Sequence, residues 1–157
     1  MFSQASRINR MRDHQWLLNQ LDLILSKYFS DMLLTNPIEI KFGREAKFRF
    51  GSIKLLKHKG LRLILGRSKP QKSIITVTSM FASEDVPAGV VHYTIAHELC
   101  HYAHGFSSEN KRMFRHPHHG GVVNAEIKKR GGEHLIREYK AWIKQYKAKI
   151  LAGRTRF

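Results

Sequence analysis

Apolar side chains return every third or fourth position between Asp13 and Phe29, at Leu17, Leu21, Ile24, Leu25 and Tyr28. That spacing predicts an amphipathic helix. Pro37 closes the segment, and the period changes to two. Ile38, Ile40 and Phe42 then face one way, with Glu39 and Lys41 the other, as in a half-buried strand. Gly43-Arg44-Glu45 reads as a turn, after which Phe48 and Phe50 alternate with Lys47 and Arg49. Ile53–Leu56 and Leu61–Leu65 flank the turn Lys57-His58-Lys59-Gly60, which predicts a hairpin. The β-branched run within Ser73–Thr78 suits a further strand.

A helical pattern follows the strands. Ser83-Glu84-Asp85 offers a cap and an acidic first turn, with Pro87 near the first helical positions. The pattern runs to His104, and Gly105 ends it. Val90, Thr94, His97 and His101 form one stripe; Val91, Ile95, Leu99 and Tyr102 form a second, predicted to face the core. Residues 105–120 make a polar loop, and a short helix from Val122 to Arg130 stops at Gly131-Gly132. A last helix, Glu133 to about Leu151, presents Leu135, Tyr139, Trp142, Ile143 and Tyr146 as its apolar side. The expected class is α+β: a small, mostly antiparallel sheet packed on helices, as one domain over residues 1–157.

Candidate chemistry lies inside the second helix. His97-Glu98-Leu99-Cys100-His101 places two imidazoles at i and i+4, on one helical face, where both can meet a single metal ion. Glu98 lies roughly 100° round from His97, within reach of a water on that metal. A Lewis acid, a polarised water and a base to take its proton are what metal-assisted peptide hydrolysis requires. A catalytic zinc takes three protein ligands and leaves one position for water. Beyond His101 the chain offers His104, His116, His118, His119 and Glu126. His104 lies on a stripe that turns away, and the loop His116–Gly120 is the better source. Spacing alone does not choose between His119 and Glu126. His14, His58, His92 and His134 lack ligand spacing and read as structural. Trp16 and Trp142 sit on apolar stripes and read as core. Tyr93 and Tyr102 lie near the motif but are also expected in the core.

Charge changes the picture once more. The chain carries a formal net charge of +16, concentrated in residues 41–72 and in the C-terminal helices. Such self-repulsion is relieved by a polyanion, and nucleic acid is the commonest such partner. No apolar run approaches the ~20 residues that span a bilayer, so no membrane is expected. The N-terminus shows no secretory apolar region, and the lone Cys100 excludes an intrachain disulfide and a cysteine-built zinc ribbon. An intracellular, cytoplasmic setting is expected, nucleoid- or nucleus-associated if the chain binds DNA.

From the helix ending Lys27-Tyr28-Phe29, through the small sheet and Ile74–Ser79, to His97–His101 and His119-Gly120 with Val123 and Ile127 behind, the chain resembles the SprT-like zinc metalloproteases. That family includes proteases of DNA–protein crosslinks. The resemblance implies a zincin-like fold with the motif on a central helix. It further implies Zn2+ held by His97, His101 and His119, and Glu98 as general base. The approach to His119 is rich in histidine, which leaves His118 as the alternative ligand. There is no separate C-terminal zinc ribbon. The implied function is a hydrolase, a zinc endopeptidase acting on DNA-associated or DNA-crosslinked proteins, in crosslink repair. Its substrate would lie along the sheet edge as an added strand. The competing expectation is a nucleic-acid-binding module with a structural zinc; a closed fourth ligand from His116–His119 would favour it.

Overall fold

The computed structural model describes residues 11–56 and 71–154. Helix α1 spans His14–Tyr28, and the Asp13 carboxylate caps it by accepting from the Trp16 N–H at 2.8 Å. Leu17, Leu21, Ile24 and Tyr28 are its buried stripe, as the periodicity predicts. Strand β1 (Ile38–Phe42) buries Ile40 and exposes Glu39 and Lys41. Strand β2 covers Gly51–Leu56 and β3 covers Lys72–Val77. Among the described residues they form one sheet in the order β1-β3-β2.

Among the described residues the sheet is mixed, where a mostly antiparallel one is expected. β3 pairs in parallel with β1 and antiparallel with β2. Period-two alternation specifies which side chains are buried but not the direction of the neighbouring strand. β3 takes the centre because it carries Ile75 and Val77, both fully buried. The stretch before β2 does not keep the expected alternation, since Phe50 is buried but Phe48 is exposed, and it is not a strand. There the Thr78 hydroxyl takes a strand partner's place, accepting from the Ala46 N–H and donating to the Ala46 carbonyl. The second arm of the expected hairpin, Leu61–Leu65, and its turn with His58 lie outside the described residues.

A 3-10 turn at Ser79–Ala82 leads to helix α2, Ala88–Ala103. Its N-cap is Pro87 rather than the Ser83 region, where the Ser83 hydroxyl instead accepts from the Asp85 N–H in the preceding turn. Helix α3 spans Val122–Lys129 and α4 spans Glu133–Arg154, with Gly131 between them in the left-handed region at φ 86°. α2 packs against β2, β3, α1, α3 and α4. Val90, Val91, Ile95, Leu99 and Cys100 are wholly buried on it, so both predicted stripes are interior. Among the described residues no helix is long and apolar enough to cross a membrane.

One side chain ties the end of α2 to the connection before β1. The buried Tyr102 hydroxyl accepts from the Asn36 N–H at 3.0 Å and donates to the Asn36 carbonyl at 2.7 Å. Tyr102 is therefore a core residue, remote in role from any reacting group. Tyr102→Phe leaves both backbone groups of Asn36 without that partner. A stability loss of about 1–3 kcal/mol is expected, read from urea unfolding; an unchanged midpoint would refute it.

Candidate metal centre

The C-terminal turns of α2 carry His97, Glu98 and His101. Gly105 then stops the helix at φ 83°, where an added Cβ would run into the backbone of Lys111. The Phe106 N–H bonds to the His101 carbonyl at 2.8 Å and the Gly105 N–H to Tyr102 at 3.1 Å, the paired bonds of a Schellman ending. Beyond it the loop is pinned from below. Asn36 donates to the Ser73 hydroxyl at 2.8 Å, Ser73 donates to the Ser107 carbonyl at 2.6 Å, and the Glu109 N–H donates to the Asn36 side chain at 3.0 Å.

That loop delivers His118 to the helix. One ring nitrogen from each of His97, His101 and His118 falls within 4.8 Å of the others, close enough to hold a metal ion. The Nε2 atoms of His97 and His118 are 3.1 Å apart. Bonds of ~2.0–2.1 Å to a tetrahedral ion would set such nitrogens roughly 3.3 Å apart, so this pair already has the spacing. The His101 ring centroid lies 4.7 Å from each of the other two. Burial pushes the His97 imidazolium down to about 3, aided by His101 and His118. Burial pushes His101 down to about 4, aided by His118 and His104. Both rings are thus neutral near pH 7, with lone pairs available to a cation. His101 Nδ1 is buried with no hydrogen-bond partner, so hydrogen bonding leaves that side of the ring unassigned. The three imidazoles fit a transition-metal ion, zinc, copper, iron and nickel alike.

The third histidine differs from the one the resemblance implies. His119 stands outside the group; it is exposed, and its ring neighbours His116 at 6.4 Å. His119 opens a 3-10 turn in which Gly120 (φ 57°) and Gly121 (φ 73°) both take left-handed conformations. The glycine after His119 thus serves the turn into α3, and the residue that joins His97 and His101 is the one before His119. Glu126 is also outside, bonded to Arg130 Nε at 2.9 Å and 3.8 Å from the buried His104. His104 meets Phe114 edge-on and belongs with Glu126, not with the histidine group.

Glu98 is 6% exposed and faces the same cleft, a space of about 380 Å³ bounded by Arg49, Gly51, Ile53, Phe106 and Tyr139. Burial lifts its carboxyl to about 7, against the opposing pull of Arg49. Gly51 makes room for it: a Cβ there would sit 2.7 Å from Thr94 and 3.1 Å from Glu98 Oε1. A carboxyl that titrates near neutrality beside the histidine group can both take and return a proton. Tyr93 also lines the cleft, its ring 6.0 Å from that of His97, but its hydroxyl donates to Asn124 at 2.8 Å and its ring stacks on Tyr139 at 4.2 Å. Arg49, Gly51, Phe106 and Tyr139 carry no motif, and only tertiary packing brings them to the cleft. Of the histidines read as structural, His92 bonds Gln20 and His134 bonds Tyr28. Trp142 stacks on Tyr146, and Trp16 packs on the core beneath Arg12. In comparisons with protein-family models, curated proteins and solved structures, nothing matches this chain.

Two outcomes follow from the geometry. Metal titration should give one divalent ion per chain, with affinity falling by more than roughly 100-fold in His97→Ala, His101→Ala and His118→Ala, beyond the loss typical of an outer-shell partner. His119→Ala should bind as wild type; the reverse order at His118 and His119 would overturn the assignment. The second concerns pH in the metal-free chain. The Glu98 pKa is raised in the folded state, so its contribution to stability is present below the ordinary value near 4.5 and is lost as pH rises through about 7. Glu98→Gln lacks that loss. The variant should gain about 3 kcal/mol on wild type between pH 4.5 and 7.5, at roughly 1.4 kcal/mol per pKa unit. His97 and His101, with lowered values, destabilise both proteins alike as pH falls, and cancel in the difference. Parallel stability–pH curves would refute the shift.

Proposed function

We propose that this chain is a zinc-dependent endopeptidase of SprT-like type, with a zincin-like site built on α2. The observation that carries the reading is a buried carboxyl titrating near 7, Glu98, beside the group His97, His101 and His118 in an open cleft. A zinc ion there would supply a Lewis acid that brings the pKa of its bound water towards ~7. His97, His101 and His118 would hold it, and Glu98 would take the proton of the attacking water and return it to the leaving amine. His116 and His119 lie outside the group, which supports a coordination position left for solvent rather than a closed structural site.

The sheet edge supports a peptide as substrate. β2 ends the strand order, and the Thr78 N–H bonds to the Phe50 carbonyl on the β3 side at 2.8 Å. Hydrogen bonds alternate along an antiparallel strand, so the backbone groups of Gly51 and Ile53 face the other side. There the Ser107 hydroxyl donates to the Ile53 carbonyl at 3.1 Å. Among the described residues nothing pairs with the outward N–H and C=O of Gly51, next to Glu98, which supports their use by an added peptide strand.

DNA-associated or DNA-crosslinked proteins are the proposed substrates, in an intracellular setting. The two basic regions of the sequence meet where the Tyr146 hydroxyl of α4 donates to the Lys47 carbonyl at 2.8 Å. Exposed Lys47 thereby sits beside the helix that carries exposed Lys140, Lys144, Lys147 and Lys149. Lysine and arginine on phosphate position a protein without reading bases. The zinc-loaded protein should cleave a DNA-bound substrate protein, and Glu98→Gln should keep its zinc while losing at least about 100-fold in rate. Stimulation by DNA should be indifferent to base sequence and fall steeply with salt, by a log–log slope of roughly −0.7 to −0.9 per phosphate. Undiminished cleavage by Glu98→Gln would remove the base, and salt-independent cleavage would remove DNA.

A further inference from the structure

A second hollow, of about 180 Å³, lies against the opposite face of β2, lined by Arg44, Arg49, Ser52, Lys54 and Thr76. It adjoins the metal cleft, because Arg49, Gly51 and Ser52 line both spaces. Alternation along β2 explains the two faces. Gly51 faces α2, as its closeness to Thr94 and Glu98 shows, so Ser52 and Lys54 project from the other side. None of Arg44, Arg49 and Lys54 takes part in an ion pair within 4 Å among the described residues. Glu45, the nearest acidic neighbour in sequence, is not part of the lining.

We propose that this hollow is a subsite of the cleft that receives an aspartate or glutamate side chain of the bound peptide. The inference rests on the peptidase reading above. A peptide pairing with Gly51 runs one strand spacing, about 4.8 Å, from β2. Its residue opposite Gly51 shares Gly51's face and looks towards Glu98 and the histidines. The adjacent residue, opposite Ser52, projects on Ser52's face, where the hollow opens. Three cations and the hydroxyls of Ser52 and Thr76 offer that residue donors only to an acceptor-rich group, and they repel lysine or arginine. The hollow is of side-chain size and continuous with the cleft at strand pitch, which favours a peptide carboxylate over a phosphodiester chain.

Matched peptides with a single Glu, Gln or Lys scanned across the cleaved bond test this. They are offered to the zinc-loaded protein and to Arg44→Ala/Lys54→Ala, whose fold is checked by circular dichroism. At one position next to the bond's flanking residues, Glu should exceed Lys in kcat/KM by about tenfold, the scale of two or three exposed charge pairs. That ratio should shrink towards unity in the double variant and at high salt. No position with a Glu preference, or a preference untouched by the double substitution, overturns the subsite. Zinc-loaded Glu98→Gln supplies a binding arm independent of turnover. If wild type cleaves no peptide but Glu98→Gln binds the Glu peptide over the Lys peptide through Arg44 and Lys54, the subsite stands and the peptidase reading falls. Equal binding of the two peptides overturns the subsite. So does a double variant that loses only its grip on a short single-stranded oligonucleotide, which would assign the hollow to phosphate.

Discussion

The burial of α2 is the constraint on which the rest depends. A helix touching two strands and three other helices has almost no wet surface, yet this one carries two histidines and a glutamate in its last turns. Removal from water disfavours every charged form there. The same desolvation therefore does two opposite things in one turn of helix: it strips the proton from His97 and His101 and keeps one on Glu98. Donor lone pairs and a carboxyl poised near neutrality are consequences of a single cause. No neighbouring charge contributes as much as burial to any of the three.

Much of the fold was legible because it rests on local periodicity. The stripe Leu17, Leu21, Ile24 and Tyr28 is a local property, and so is the alternation Ile38–Phe42. Pairing direction is not local. Nothing in Ile38–Phe42 distinguishes a parallel neighbour from an antiparallel one, and β3 settles the matter only by occupying the centre. Likewise, the substitution of the Thr78 hydroxyl for a strand partner at Ala46 joins residues 32 apart, which no window of sequence reveals. The helix start misled for another reason: Ser83 does accept a backbone hydrogen bond, but within a turn that precedes the helix.

The site divides in the same way. His97, Glu98 and His101 share one helix, so spacing alone places them together. The third histidine of the group comes from a loop, and it is His118, the alternative to His119, that stands there. A glycine after a histidine is informative, but at Gly120 it reports backbone conformation, a left-handed turn, rather than which ring reaches the cluster. The cleft walls, Arg49, Gly51, Phe106 and Tyr139, had no signature, because their role is to be next to Glu98 and not to bear a motif.

Asn36 gives the arrangement a further property. Its backbone is clamped by Tyr102 and its side chain holds Ser73 and Glu109, so one residue outside the centre anchors both the helix end and the loop that leads to His118. His118 lies 21 residues from His97, a separation whose closure costs conformational entropy wherever it is first fixed. Here much of the loop, as far as Met113, is fixed by hydrogen bonds between protein groups. A cation held there would be spared much of the ordering cost that a small zinc module places on its metal, and would meet a receptor already assembled rather than drive a folding reaction.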